Sequence, residues 1–207
     1  MPDKLRAAFF DVDGTLISTK SLVSFVQFMQ QQQLAEIHQP TLALFMQHIR
    51  EQLQTNAPRD ALNREYFSIY KGMPQALINQ LAQHWFNEME ANDEFYIRTT
   101  LNQLRDLQAQ GYRIVLVTGS FQPLLQGLKE KLRIDDLLCT LPEVVNGVYT
   151  GELIGYPCIG EQKRKAVIQY ALEHQLDLAD SYAFGDDVTD NYMLDIVGTG
   201  IRVDAAA

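Results

Sequence analysis

The sequence predicts an α/β protein with a parallel, doubly wound sheet and an inserted group of helices. Three observations support this fold class. A short apolar run at residues 7–10 ends in paired aspartates, residues 21–90 have helical apolar spacing with no convincing strand, and helix-like and strand-like segments alternate from residue 93 onward. Such alternation is typical of parallel sheets covered by helices.

The first strand is expected at residues 7–10, AAFF. An uninterrupted apolar run suits a strand that is buried on both faces of a parallel sheet. Asp11 and Asp13 follow it, and Gly14 and Thr15 let the chain turn away. Ligands of open α/β sheets bind at the carboxyl ends of strands, so the paired acids are predicted to lie at a ligand site.

Four short helices are expected between residues 21 and 90. Ser21 is the predicted N-cap of the first, Pro58 and Pro74 mark the starts of the third and fourth, and the third is expected to continue to Gly72. The second carries an apolar stripe formed by Leu42, Phe45, Met46, Ile49 and Leu53. These patterns predict a small helical bundle.

The remaining strands are predicted from short apolar runs that end in polar residues. They are expected at 113–117, 137–140, 181–184 and 201–203, with a helix from about 161 to 174. Asn146 and Gly147 lie between valines, which predicts a hairpin with a type I′ turn.

Composition limits the classes of function. The chain has 207 residues, 17 Lys and Arg, 26 Asp and Glu, and a net charge of −9, which disfavours binding to nucleic acid or to an acidic membrane. Its two cysteines have neither CxxC nor zinc-finger spacing, and no segment approaches the ~20 apolar residues of a membrane helix. We therefore expect reduced thiols and a cytoplasmic location. The sequence leaves the oligomeric state open.

Polar groups follow three of the predicted strands: Asp11 and Asp13, then Thr118, then the acids of GDDVTD at 185–190. Clustered carboxylates need a cation, and an all-oxygen site suits Mg²⁺. The turn at 118–120, TGS, offers a hydroxyl and free backbone N–H groups to an anion. A lysine from the pair Lys163 and Lys165 would supply further positive charge. Together these features are typical of phosphoryl transfer.

The sequence also resembles a known protein family. DVDGTL at 11–16, the apolar strand ending in Thr118, GEQK at 160–163 and GDDVTD at 185–190 are similar to the four ordered motifs of haloacid dehalogenase-like (HAD) phosphatases. The helical insertion after the first motif and the VNGVYTG hairpin resemble the phosphoserine phosphatase branch. The resemblance implies a Rossmann-like core at residues 1–18 and 92–207 and an all-helical cap at 19–91.

The resemblance also implies roles for individual residues. Asp11 would be the nucleophile that forms an aspartyl-phosphate, and Asp13 the general acid and base. Mg²⁺ would be held by the Asp11 carboxylate, the Asp13 carbonyl and Asp186, with support from Asp190. The phosphate-binding residues would be Thr118, Gly119 and Lys163. Lys163 is preferred to Lys165 because it has the Gly-x-x-Lys spacing of the family.

Two positions depart from the phosphoserine phosphatase pattern. Those phosphatases carry a glutamate nine residues after the nucleophile, and here that position is Lys20. A cation at position 20 would repel the amino group of phosphoserine, so we expect another small phosphorylated metabolite, and a specificity role for Lys20. Asp187 is the second departure, and it is expected either to reach the metal through water or to be exposed.

The expected function is therefore a Mg²⁺-dependent phosphomonoester hydrolase. A phosphotransferase would use the same intermediate and remains an alternative. A non-catalytic phosphate-binding protein of the same fold is the other alternative.

Overall fold

The computed structural model of the chain describes residues 5–32, 39–54 and 58–204. Seven strands lie in this part of the chain: β1 (Ala7–Phe10), β2 (Arg113–Thr118), β3 (Asp136–Cys139), β4 (Pro142–Val145), β5 (Val148–Leu153), β6 (Tyr182–Gly185) and β7 (Thr199–Arg202). Five of them form a parallel sheet in the order β3-β2-β1-β6-β7. β4 and β5 form a separate antiparallel hairpin. The predicted α/β class with a parallel sheet is confirmed.

The helices of the described residues are α1 (Ser21–Gln31), α2 (Gln39–Gln54), α3 (Arg59–Ser68), α4 (Gln75–Glu90), α5 (Arg98–Ala109), α6 (Gln122–Leu132), α7 (Glu161–Glu173) and α8 (Asn191–Leu194). Short 3₁₀ turns at Leu178–Asp180 and Val188–Asp190 flank β6. No helix of this part of the chain is both long enough and apolar enough to cross a membrane.

β1 lies at the centre of the sheet and is fully buried. Because strand side chains alternate between faces, Ala8 and Phe10 join the apolar cluster that extends into α1–α4, whereas Ala7 and Phe9 join the cluster beneath α7. Burial on both faces explains why the run AAFF contains no polar residue.

Aromatic side chains dominate the packing of α1, α3 and α4. Phe25, Phe67, Tyr70 and Trp85 are almost completely buried. Phe45, Met46 and Ile49 of α2 are buried as predicted, while the side chains of Leu42 and Leu53 lie outside the described residues. The helical spacing in this stretch therefore reflects a real apolar core.

Two expectations about helix ends are wrong. α3 ends at Ser68 instead of continuing to Gly72, because the Gly72 N–H and the Met73 carbonyl form hydrogen bonds with the backbone of Tyr149 in β5. Ser21 is the first residue of α1 and not its N-cap, which is Lys20. The Ser21 side chain has partners elsewhere, described below.

The predicted hairpin is present at Asn146 and Gly147. Val145 pairs with Val148, and Asn146 and Gly147 have φ angles of 52° and 77°. Positive φ at both central residues is the signature of a type I′ turn. The hairpin also contacts the helical insertion, since Gln75 N–H donates to the Gly147 carbonyl at 2.8 Å.

Candidate active site

The sheet order brings three predicted polar strand ends together. β1 pairs with β2 on one side and with β6 on the other, so Asp11, Thr118 and Asp186 lie at the carboxyl ends of three adjacent strands. They line a cavity of about 350 Å³, together with residues of α1, α2 and α3. The cavity lies at the carboxyl ends of the parallel strands, as expected for an open α/β sheet.

Lys163 lies at the floor of this cavity, between two carboxylates. Its Nζ is 2.6 Å from Asp11 Oδ1 and 2.6 Å from Asp190 Oδ1. All three side chains are buried, and the helix that carries Lys163, α7, begins after Gly160. Lys165, two residues further along α7, is exposed. The structure therefore brings Lys163 and not Lys165 to the predicted site.

Burial and neighbouring charges shift the pKa values of Asp11 and Lys163. Burial raises the pKa of Asp11 to about 7, although the Lys163 ammonium opposes that shift. Burial alone would lower the pKa of Lys163, but the carboxylates of Asp11 and Asp190 raise it above its ordinary value. Lys163 is therefore a permanent buried cation beside Asp11.

Asp186 reaches the same site from the end of β6. The Thr15 hydroxyl lies 3.4 Å from Asp11 Oδ2 and 3.2 Å from Asp186 Oδ1, so it connects the two acids. Carboxylate oxygens of Asp11, Asp186 and Asp190 lie within 4.8 Å of one another. Both Asp190 oxygens already accept hydrogen bonds, from Lys163 and from the Asp187 N–H, so Asp190 holds the lysine in place.

Asp13 has one bound and one free carboxylate oxygen. Its Oδ2 accepts hydrogen bonds from the Ser21 N–H and from the Ser21 hydroxyl, each at 2.9 Å. Its Oδ1 is buried and has no partner among the described residues. Burial raises the pKa of Asp13 to about 6, and the Ser21 hydrogen bonds oppose this shift. The free oxygen can therefore carry a proton near neutral pH.

The turn after β2 forms another wall of the cavity. Thr118 is buried, and its hydroxyl accepts a hydrogen bond from the Ser120 N–H at 3.2 Å. The Gly119 carbonyl accepts bonds from the Asn63 amide and from the Thr140 hydroxyl, each at 2.9 Å. A Cβ at Gly119 would lie 2.9 Å from the Ile159 side chain, so the close packing favours glycine. These bonds fix the turn against the cavity.

Lys20 lies at the rim, at the N-terminus of α1. Its Nζ is 2.7 Å from the Asp13 carbonyl oxygen and 3.4 Å from Asp186 Oδ2. Its side chain is 54% exposed and also lines the cavity. The structure thus places the predicted specificity residue against two of the predicted metal ligands.

Asp187 is neither free nor simply exposed. Its carboxylate pairs with Arg59 of α3 at 2.8 Å and caps the 3₁₀ turn by accepting the Thr189 N–H. Partial burial acts in the opposite direction, but the Thr189 hydrogen bonds and the Arg59 charge lower the pKa of Asp187. Asp187 therefore connects the insertion to the loop that carries Asp190.

Sequence reasoning missed several contributors to the site. The sequence predicts only a turn at Thr15 and only a helix cap at Ser21. Ser120 was not assigned a contact of its own, although its hydroxyl lies 3.0 Å from the Ser21 hydroxyl. Nothing in the sequence distinguishes Arg59 from an ordinary exposed charged residue. Each of these residues also contacts a partner that is distant in sequence, namely Thr15 with Asp186, Ser21 with Ser120 and Arg59 with Asp187, and no local motif indicates these contacts.

The fold and the site define a class of α/β proteins in which an acidic strand end and a buried lysine face the same cavity. A family model described as haloacid dehalogenase-like hydrolase matches residues 8–195. The chain belongs to the haloacid dehalogenase-like hydrolase family.

Individual relatives agree with the family. The chain is 28% identical over 207 residues to phosphoserine phosphatase SerB1 of Mycobacterium tuberculosis, covering 99% of this chain and 67% of SerB1. A Bordetella pertussis protein of unknown function has a similar structure, with a TM-score of 0.84 and 20% identity, covering 96% of this chain and 90% of that one.

A phospho-aspartyl intermediate analogue of phosphoserine phosphatase is also similar, with a TM-score of 0.66 and 18% identity, covering 97% of this chain and 87% of that one. The family, the relatives' names and the shared fold confirm the predicted resemblance to the phosphoserine phosphatase branch. They also confirm the predicted enzyme class, a phosphatase.

Proposed function

We propose that the protein is a Mg²⁺-dependent hydrolase of small phosphomonoesters that acts through an aspartyl-phosphate on Asp11. The observation that carries this proposal is the position of the Asp11 carboxylate, 2.6 Å from the buried Lys163 ammonium and at the floor of the cavity. A carboxylate in this position can attack phosphorus while the neighbouring cation receives the phosphoryl charge.

The oxygens at this site fit a hard divalent cation. The Asp11 and Asp186 carboxylates converge with the Asp13 carbonyl, and the Lys20 ammonium contacts two of these three groups. Oxygen ligands without sulfur or imidazole favour Mg²⁺ over zinc. Bound there, Mg²⁺ would neutralise acidic charge and polarise the phosphoryl oxygens.

The chain's own residues account for the bond changes. An Asp11 oxygen forms a bond to phosphorus as the bond from phosphorus to the leaving oxygen breaks, and Asp13 Oδ1 gives its proton to that oxygen. Asp13 then takes a proton from water, which attacks phosphorus and breaks the bond to Asp11. Thr118, Gly119 and Lys163 are proposed to hold the phosphoryl oxygens throughout.

We also propose the division into a core at 1–18 and 92–207 and a cap at 19–91. Lys20 at the start of α1, Ile49 of α2 and Arg59 of α3 line the cavity, which supports a role for the insertion as a cover over the strand ends. Cap closure would exclude bulk water from the first step. The cytoplasmic location predicted from the cysteines remains a prediction.

The substrate is proposed to be a small phosphorylated metabolite other than phosphoserine. Lys20 and Arg59 both line the cavity, and Leu22, Val23 and Leu62 give it an apolar side. Two cations disfavour an ammonium group in the substrate and favour a second anionic group. A phosphate-release panel tests this directly, and a preference for phosphoserine over other phosphomonoesters would contradict it.

Removal of metal should abolish turnover. We expect EDTA to stop phosphate release from an aryl phosphate and added Mg²⁺ to restore it, because the clustered carboxylates otherwise repel the substrate's phosphoryl group. Excess Ca²⁺ should inhibit, since its looser coordination misplaces the nucleophile. Unchanged activity after exhaustive chelation would contradict the metal requirement.

Added alcohols should receive little of the phosphate if the enzyme is a hydrolase instead of a phosphotransferase.

Ser21→Ala should move the alkaline limb of the pH profile. The Ser21 hydroxyl donates to Asp13 Oδ2 and lowers the pKa of Asp13, so its loss should raise that pKa by up to about one unit. Because a general acid works in its protonated form, the fall of kcat/KM should begin at higher pH than in the wild type.

The matched control for this variant is Ser24→Ala, one turn further along α1. The Ser24 hydroxyl accepts from Trp85 Nε1 at 3.0 Å and does not contact Asp13. Its pH profile should match that of the wild type. If Ser21→Ala shifted both limbs of the pH profile equally, or shifted neither, then Ser21 would not be a positioning residue for Asp13.

A further inference from the structure

Lys20 occupies a position that the proposed reaction does not require of it. Its ammonium lies 2.7 Å from the Asp13 carbonyl oxygen and 3.4 Å from Asp186 Oδ2. Both oxygens are among the ligands proposed for Mg²⁺. The Lys20 side chain is 54% exposed, whereas that of Asp186 is 16% exposed, so the lysine reaches inward from the surface to an inner carboxylate.

The turn after Asp13 leaves room for this contact. Gly14 has a φ of 90°, and a Cβ there would lie 2.9 Å from Lys20 Nζ and would also contact the Asp186 carboxylate. Glycine therefore lets ammonium and carboxylate approach the backbone closely. The Asp13 carbonyl also points its negative end at the ammonium, so the site already accommodates one cation.

A metal ion on these oxygens would compete with the ammonium for them. Mg²⁺ binds its oxygen ligands at about 2.0–2.1 Å, and two cations on the same ligands would repel each other strongly. We infer that Lys20 is a tethered cation that competes with Mg²⁺ for the Asp13 carbonyl and Asp186, and that metal binding displaces its ammonium. This inference rests on the metal site of the proposed function.

Competition of this kind has two consequences. The apparent affinity for metal is lower than the oxygen ligands alone would give, because each binding event must first displace a cation that is covalently attached. The displaced ammonium would stay attached at the start of α1, beside the cavity that Lys20 lines. Metal binding thereby frees a positive charge for an anionic group of the substrate.

Direct measurement of cation binding tests the inference without relying on turnover. Mn²⁺ would be titrated into the full chain in the absence of substrate, with the free ion followed by electron paramagnetic resonance. We expect Lys20→Gln to bind Mn²⁺ about tenfold more tightly than the wild type. Lys20→Arg keeps the cation and should stay within about threefold of the wild type.

Arg59→Gln is the control for a general effect of charge. Arg59 lines the same cavity, but its guanidinium pairs with Asp187 and not with the metal-facing oxygens. Its removal should change Mn²⁺ affinity by less than about threefold. A second variant, Lys20→Met, repeats the test with an apolar side chain, and thermal melting checks that each variant is folded.

The Mn²⁺ affinities of these variants separate competition by Lys20 from a general effect of charge and from the absence of a metal site. Equal affinity of the wild type and both neutral Lys20 variants would overturn the competition while leaving the metal site intact. Equal tightening by Lys20→Gln and Arg59→Gln would also overturn it, because general charge would then explain the effect. Failure of both the wild type and Lys20→Gln to bind Mn²⁺ would contradict the metal site itself, and with it the proposed function.

Discussion

Asp11→Asn is expected to lower the rate of phosphate release by at least about 10⁴-fold, because the amide cannot form the proposed covalent intermediate. Substrate binding should persist, since Lys163 and Thr118 remain in the cavity. The measurement is kcat and KM for an aryl phosphate at saturating Mg²⁺. Loss of kcat with little change in KM would identify Asp11 as a reacting group.

The fold of this variant should survive. Asp190 still pairs with Lys163 at 2.6 Å when Asp11 becomes neutral, so the buried ammonium keeps a counter-charge. Burial raises the pKa of Asp11, which means that its ionised form is costly to bury and that a neutral amide relieves this cost. Asp93→Asn makes the same substitution at an exposed loop position and should retain full activity. Asp11→Asn with near-normal turnover would contradict the mechanism.

Lys163→Met has the second largest expected effect, and it acts on both activity and stability. The substitution leaves the buried carboxylates of Asp11 and Asp190 without their shared cation. Removing one partner of a buried ion pair typically costs about 3–5 kcal/mol of unfolding free energy. Loss of a donor to the phosphoryl oxygens should also reduce kcat by about 10²–10³-fold.

Urea denaturation and steady-state kinetics measure the two effects separately. Lys165→Met is the matched control, because it makes the same substitution two residues further along α7 at an exposed position. It should change unfolding free energy by no more than about 0.5 kcal/mol and leave kcat unchanged. If Lys163→Met behaves like Lys165→Met, then Lys163 is not the buried cation of the site.

Much of the fold could be predicted because its signals are local. The apolar run before Asp11 and the run before Thr118 are buried on both faces, and each ends where its polar group begins. Asn146 and Gly147 adopt the positive φ angles that their residue types favour. In each case, the residues that carry the signal are also the residues that form the structure.

The parts that could not be predicted depend on contacts between distant segments. The sequence predicts a helix cap at Ser21, yet the Ser21 hydroxyl donates to Asp13 Oδ2 and lies 3.0 Å from the hydroxyl of Ser120, 99 residues away. The charge of Lys20 predicts a role in substrate specificity, but sequence spacing alone could not place its ammonium against Asp186. Arg59 and Asp187 meet across 128 residues.

Chemical trapping of the covalent intermediate tests the central claim most directly. An aspartyl-phosphate is an acyl phosphate, so borohydride added during turnover should reduce it to homoserine, which peptide mass spectrometry can locate in the sequence. We expect homoserine at position 11 only with both substrate and Mg²⁺ present, and none in Asp11→Asn. Active turnover with no reduced residue, or with the label at Asp13 or Asp186 instead, would contradict it.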